Sequence, residues 1–184
     1  MTLPARVLCV VVCGAGPAAD VGHVVKLALE RGWSVQVVST PAGLAFVNTA
    51  AIEAQTGNPV RSQYRSPGEP RSRPSDAIIV APATYNTINK WAQGISDTYA
   101  LGVLAETTGL DVPIVVLPFV NSALAARAPF RRSVEDLRRE GVRILLGPDG
   151  VEPHEPHTGG ELIASYPWHL ALDEAERLFG MASR

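Results

Sequence analysis

Five short apolar runs constrain this 184-residue chain more than anything else in it: Val7–Val12, Ser34–Val38, Ala77–Ala81, Pro113–Leu117 and Val142–Leu146. Each is rich in Val and Ile and can be buried on both faces, as parallel strands covered by helices are. Stretches with helical spacing fall between them. Val21, Val24, Val25, Ala28 and Leu29 mark one apolar helix face that stops at Gly32. Ile88, Trp91, Ala92 and Ile95 mark another, and Thr98–Thr108 continues that helix or follows it closely. Arg131–Glu140 is an Arg/Glu-rich helix ending at Gly141, and Leu170–Phe179 is a last amphipathic one. This alternation predicts a single α/β domain over residues 1–184, a three-layer α/β/α, Rossmann-like (flavodoxin-like) parallel sheet.

Hydrophobic residues make up 46% of the chain and charged ones 18%, which excludes a disordered protein. A net charge of -2 offers no basic surface to nucleic acid or to an anionic membrane. No apolar stretch approaches the length of a membrane span. Met1–Pro4 and the run after it lack the layout of a secretion signal, because Val7–Val12 is too short and opens into a glycine turn. Cys9 and Cys13 accordingly read as two buried thiols of a cytoplasmic protein.

Two stretches break the alternation. Gln55–Ser75 carries Arg61, Arg65, Arg71 and Arg73 among Pro, Gly and Ser, and Gly147–Gly160 carries Pro148, Pro153 and Pro156. Loops of that length are lids, partner surfaces or simply mobile segments. His154 and His157, with Glu152 and Glu155, sit in the second loop. Such pairs can bind zinc, but without regular structure or cysteines a solvated loop is the better reading, and no metal site is predicted. A flap closing over a bound ligand is its functional version. Trp91 reads as packing, and His23 and Lys90 as helix-surface charges.

The chemistry gathers where strands end. Gly14-Ala15-Gly16-Pro-Ala-Ala19 follows the first run and formally satisfies G-x-G-x-x-A, a turn whose glycines let backbone approach an anion at a helix N-terminus. An NAD site would want an acidic residue after the second strand to hold the ribose, and Ser39 and Thr40 stand there instead. Hydroxyls suit a phosphate, so a dinucleotide is the lesser alternative. The third run ends at Pro82 and gives way to Thr84, Asn86 and Thr87 ahead of a helix. Ends of parallel strands share one edge of a sheet, so Gly14–Gly16, Ser39–Thr40 and Thr84–Thr87 should cluster. Three loops of small polar residues at one edge favour a mononucleotide site over plain connecting turns.

Those residues resemble the homo-oligomeric flavin-containing cysteine decarboxylase family, which includes phosphopantothenoylcysteine decarboxylases and decarboxylases of lantibiotic-type peptides. Pro82-Ala-Thr-Tyr-Asn-Thr87 resembles the family's P-A-S-A-N-T, and Gly94-Ile-Ser-Asp97 its G-I-A-D. Pro118-Phe-Val-Asn121 resembles P-x-M-N, while Thr40–Val47 and Gly57-Asn-Pro-Val60 match two further segments. The resemblance implies FMN as cofactor. Gly14, Ala15, Gly16, Ser39 and Thr40 would hold its phosphate, and Thr84, Tyr85, Asn86 and Thr87 the phosphate–ribityl end and the ring. Val120 would pack near the flavin and Asn121 would donate to a substrate carboxylate. The substrate would be a small molecule or a peptide terminus, and the assembly a homo-trimer or dodecamer. Tyr85, usually Ala in the family, would lie on flavin, on a neighbouring subunit or simply in packing.

The chain also departs from that pattern. The family's catalytic His falls, by count, on Gly68, and no His lies between His23 and His154. Ala15 replaces a Ser, Phe119-Val120 an Ala-Met pair and Ala125-Ala126 a Met-Trp pair. Gly147–Gly160 lacks the flap cysteine of phosphopantothenoylcysteine decarboxylases, and the residues of a flavin prenyltransferase are not evident. The reading is an FMN-binding oxidoreductase or decarboxylase, with two alternatives: a non-catalytic FMN-binding regulatory or storage subunit, or an NAD(P)-binding oxidoreductase.

Overall fold

The computed structural model describes residues 6–69, 71–148 and 150–182, so Met1–Pro4 lies outside the described residues. Five parallel strands, β1 (Val7–Val12), β2 (Ser34–Ser39), β3 (Ala77–Ala83), β4 (Ile114–Pro118) and β5 (Arg143–Ile144), form one sheet in the order β2-β1-β3-β4-β5. The expected strands are all present. The fifth is shorter than its apolar run, because only Arg143 and Ile144 pair with β4 and Leu146 pairs instead with Val151 of the following loop.

Strict alternation along the strands splits the core in two. Leu8, Val10 and Val12 of β1, Ala77 and Ile79 of β3, and Val115 and Leu117 of β4 face one side. α1 (Gly22–Glu30) and the final helix α7 (Trp168–Ala182) cover that side. Cys9, Val11, Ile78, Val80, Ile114 and Val116 face the other, under α3 (Tyr85–Ala92), α4 (Tyr99–Thr108) and α6 (Ala128–Arg139). These layers make the three-layer α/β/α fold, and Trp91 serves as packing within the second, its indole N–H donating to Thr108 at 3.1 Å. α3 and α4 are separate helices, divided by Gly94 at φ 70°.

The stretch before the Arg-rich loop holds a helix that its sequence conceals, α2 (Thr49–Thr56), capped by Asn48 and ended by Gly57 at φ 69°. A one-turn helix, α5 (Ser122–Ala125), follows β4. Cys9 and Cys13 are free and fully enclosed. Among the described residues no helix is long and apolar enough to cross a membrane, and no group of His, Cys, Asp and Glu is placed to hold a metal ion.

Candidate functional site

In this strand order the chain leaves β1 for β2 on one side and reaches β3 on the other, so the order reverses beside β1. Open parallel sheets take ligands at the carboxyl ends of strands where that reversal opens a crevice. Local contacts draw the loops together at that edge. The Cys13 amide donates to the Pro82 carbonyl at 3.2 Å, joining the tips of β1 and β3. The Thr40 amide donates to the Val12 carbonyl at 2.9 Å, joining β2 to β1. A Cβ on Gly14 would lie 2.9 Å from Ala42, so only glycine lets these loops touch.

The hydroxyls at the edge have distinct assignments. Ser39 is fully enclosed and its hydroxyl donates to the Thr40 carbonyl at 3.0 Å. Thr40 Oγ1 accepts the Gly43 amide at 3.1 Å, which leaves its own proton to donate outward. Thr84 caps α3 by accepting from the Thr87 amide at 3.3 Å, with the two hydroxyls 3.1 Å apart. Tyr85 and Asn86 follow in the first helical turn, where amides lack intrahelical acceptors and the helix end is electropositive. Asn86 is exposed, while Tyr85 stacks on Phe130 with ring centres 5.5 Å apart. Beneath the threonines, burial raises the Cys13 thiol against hydrogen bonds with Thr87 and Thr84, so it stays protonated. Burial likewise pushes Cys9 up to about 12, opposed by Ser75. Neither thiol is a nucleophile here.

At the next tip, the Phe119 amide donates to the Ala83 carbonyl at 2.8 Å, which sets β4 against β3. Asn121 caps α5, its side-chain oxygen accepting the Leu124 amide at 2.9 Å. That leaves the Asn121 NH2 group to donate elsewhere. The Gly147–Gly160 loop returns to this tip: the Ser122 amide donates to the His154 carbonyl at 2.7 Å, and the His154 amide to the Val120 carbonyl at 3.2 Å. The loop is therefore pinned across the end of β4. Between it and the strand lies a cavity of about 260 Å³, walled by Phe119, Val120, Val151, His154, Leu162 and Tyr166 among others.

Gly14, Ala15, Gly16, Ser39, Thr40, Thr84 and Thr87 thus gather at the β1, β2 and β3 tips, with Val120 and Asn121 one strand along. Of these, only Val120 lines the cavity. Three contributors were not among the expected site residues. Gly43 packs so closely that a Cβ would lie 2.6 Å from Ser39 Oγ. A Cβ on Gly16 would meet Ile163 at 2.7 Å, and the buried Tyr166 hydroxyl donates to the Leu117 carbonyl at 2.6 Å. Gly43 sits within the matched Thr40–Val47 segment, but nothing in the chain's spacing links Ile163 or Tyr166 to a strand end.

The family described as Flavoprotein matches residues 2–162. The coenzyme A biosynthesis bifunctional protein CoaBC of Thermococcus kodakarensis is 31% identical over 131 residues, 66% of this chain and 32% of that protein. Its Escherichia coli counterpart is 26% identical over 156 residues, 81% of this chain and 37% of that protein. The chain spans about a third of the length of these curated relatives. Among solved structures, the FMN-dependent cysteine decarboxylase SpaF superposes with a TM-score of 0.66 at 26% identity, covering 90% of this chain and 97% of the other. With the match covering most of its length, the chain belongs to the Flavoprotein family.

Proposed function

We propose that the chain binds FMN at the joined tips of β1, β2 and β3 and acts as an oxidoreductase or decarboxylase on a small or peptide-terminal carboxylate. The observation that carries this is the convergence of three short polar loops beside β1, in a sheet whose order reverses there. The residues fit the cofactor. A phosphate needs donors, and the free proton of Thr40, the glycine turn Gly14–Ala15–Gly16 and the first-turn amides of α3 supply them. Ser39, Thr84 and Thr87 hold those loops in shape, with Tyr85 and Asn86 at the same helix start. Val120 offers an apolar wall, and the Asn121 NH2 group, released by the capping role of its oxygen, suits a substrate carboxylate.

FMN, when bound, supplies a hydride acceptor. The chain's own residues then orient the carboxylate at Asn121 and hold water away with Phe119, Val120 and Leu162. SpaF, an FMN-dependent cysteine decarboxylase by name, supports a thiol-bearing substrate. Homo-trimers or dodecamers in the cytoplasm complete the proposal. The test is direct: record the absorption spectrum of the purified protein, then incubate it with cysteine-terminated peptides and follow loss of CO2 by mass. Flavin absorbance with turnover is expected. A protein that neither carries nor takes up FMN overturns the reading. Bound FMN without turnover of any thiol carboxylate selects a non-catalytic FMN-binding subunit, which the absence of histidine from the Arg-rich loop favours.

A further inference from the structure

The cavity at the end of β4 is walled mainly by apolar side chains, and one imidazole stands among them. His154 is fixed by backbone on both sides, through its amide to Val120 and its carbonyl to Ser122. This places it directly across from Asn121 in a parallel bridge. Its ring packs on Phe119 with centres 4.8 Å apart. The ring's Nδ1 lies 3.1 Å from the Glu155 carbonyl oxygen. A carbonyl only accepts, so Nδ1 carries the proton in the neutral ring and Nε2 keeps the lone pair. Among the described residues nothing is hydrogen-bonded to Nε2. Gly159 makes the room for that edge, since a Cβ there would lie 3.0 Å from Nε2.

We propose that His154 is the substrate-contacting base of this site, accepting at Nε2 the acidic proton of a thiol whose neighbouring carboxylate is held by Asn121. The inference rests on the carboxylate-binding reading above. The step balances simply: the S–H proton passes to Nε2, thiol becomes thiolate, imidazole becomes imidazolium, and no electron pair leaves the two partners. The carboxylate of the wall is Glu152, which is exposed, as is Glu155, whose carbonyl oxygen meets the ring's Nδ1. Gly68, the position where the sequence resemblance places a histidine, is exposed at φ 92°. The cavity of about 260 Å³ takes an apolar side chain next to the thiol-bearing end.

The protein has four histidines, so ring NMR resolves the question. The full-length protein, its flavin content recorded from the absorption spectrum, is titrated with a cysteine-terminated peptide carrying a free carboxylate and with its C-terminal amide. The His154→Gln variant assigns the His154 signals. The free acid is expected to move those signals from the Nδ1–H tautomer toward imidazolium, and the amide to bind weakly. His154→Ala is expected to weaken peptide binding by about tenfold or more, the loss of one hydrogen bond to a charged group. His154→Gln retains part of the affinity but abolishes thiolate formation, read from thiolate absorbance. Both variants keep the backbone bonds that pin the flap at Val120 and Ser122, and His154→Gln retains part of the ring's packing on Phe119, so comparing Gln with Ala separates lost packing from the lost proton acceptor. Absent peptide binding, unmoved His154 signals, or wild-type affinity in His154→Ala overturns the proposal. Loss of the flavin reading shows separately, as a spectrum without flavin.

Discussion

Tyr166 joins the last helix to the site through one hydroxyl. Its ring is buried edge-on to Phe119 and Trp168, and its oxygen lies 2.6 Å from the Leu117 carbonyl. Burial raises the phenol well above its ordinary range, so it remains a donor at any physiological pH. Tyr166→Phe keeps the packing but leaves the Leu117 carbonyl short of a partner, at a cost of about 1–3 kcal/mol. Urea unfolding should show a lower midpoint at unchanged slope. An unchanged midpoint would show the bond to be idle. Gly43 is constrained in the opposite sense, by space. A Cβ there would lie 2.7 Å from the Val12 carbonyl oxygen as well as against Ser39 Oγ. A backbone oxygen cannot rotate away, so Gly43→Ala is expected to cost about 1–3 kcal/mol as overpacking. Because Gly43 also donates to Thr40 Oγ1, FMN affinity should fall with it. Isothermal titration against a distal control such as Gly180→Ala on α7, where a Cβ meets nothing within 4 Å, separates the two effects.

At the scale of elements, α7 is tied to the sheet by charge as well as packing. Glu174 accepts from Arg177 at 2.7 and 2.8 Å and from β5's Arg143 at 2.8 Å. The Arg177 hydrogen bonds, helped by Arg143 and opposed by burial, hold the Glu174 carboxyl below its ordinary 4.5. Its folded value lies under its unfolded one, so its contribution is complete above about pH 4.5 and is lost as acid carries pH down through the folded value. Both arginines are substantially exposed, which keeps the contribution under about 1 kcal/mol. Glu174→Gln should therefore lower the denaturation midpoint slightly at pH 7 and flatten its fall between pH 5 and pH 3, relative to wild type (about the carboxylate range). Parallel pH profiles would remove Glu174 from the account. The strands themselves were readable because β1, β3 and β4 are covered on both faces, so nearly every position had to be apolar. α2 was not, since Ile52 is its one buried residue and a helix lying on the surface leaves no stripe to read. The extent of β5 was overread because the chain turns away after Leu145, whose amide still donates to Val116 of β4, and Leu146 pairs with Val151 of the following loop instead. At the site, the tip residues were legible through their small, hydroxylated side chains. Tyr166 and Ile163 were not, because a side chain that reaches a strand end from a distant stretch of the sequence leaves no spacing behind it.

For the molecule as a whole, a ligand that binds only the folded chain stabilises it by mass action. The loops of the proposed cradle come from β1, β2 and β3, which all belong to the cooperative sheet, so occupancy registers as global stability. At FMN a thousandfold above its dissociation constant the gain is about 4 kcal/mol. For a chain of this size that corresponds to a rise in melting temperature of about 8–16 °C. Riboflavin separates the two ends of the ligand. It has the isoalloxazine and ribityl chain but no phosphate, so it loses the donors at Thr40, the Gly14–Gly16 turn and the α3 N-terminus. It should give less than half the rise seen with FMN at equal concentration (about one or two charge-assisted hydrogen bonds fewer). Thr40→Val should bring the FMN curve down toward the riboflavin one and leave the riboflavin curve where it is, since a methyl replaces only the hydroxyl's donated proton and the Gly43 cap. Equal rises for FMN and riboflavin would move the phosphate away from these strand tips, even with a flavin bound elsewhere on the molecule.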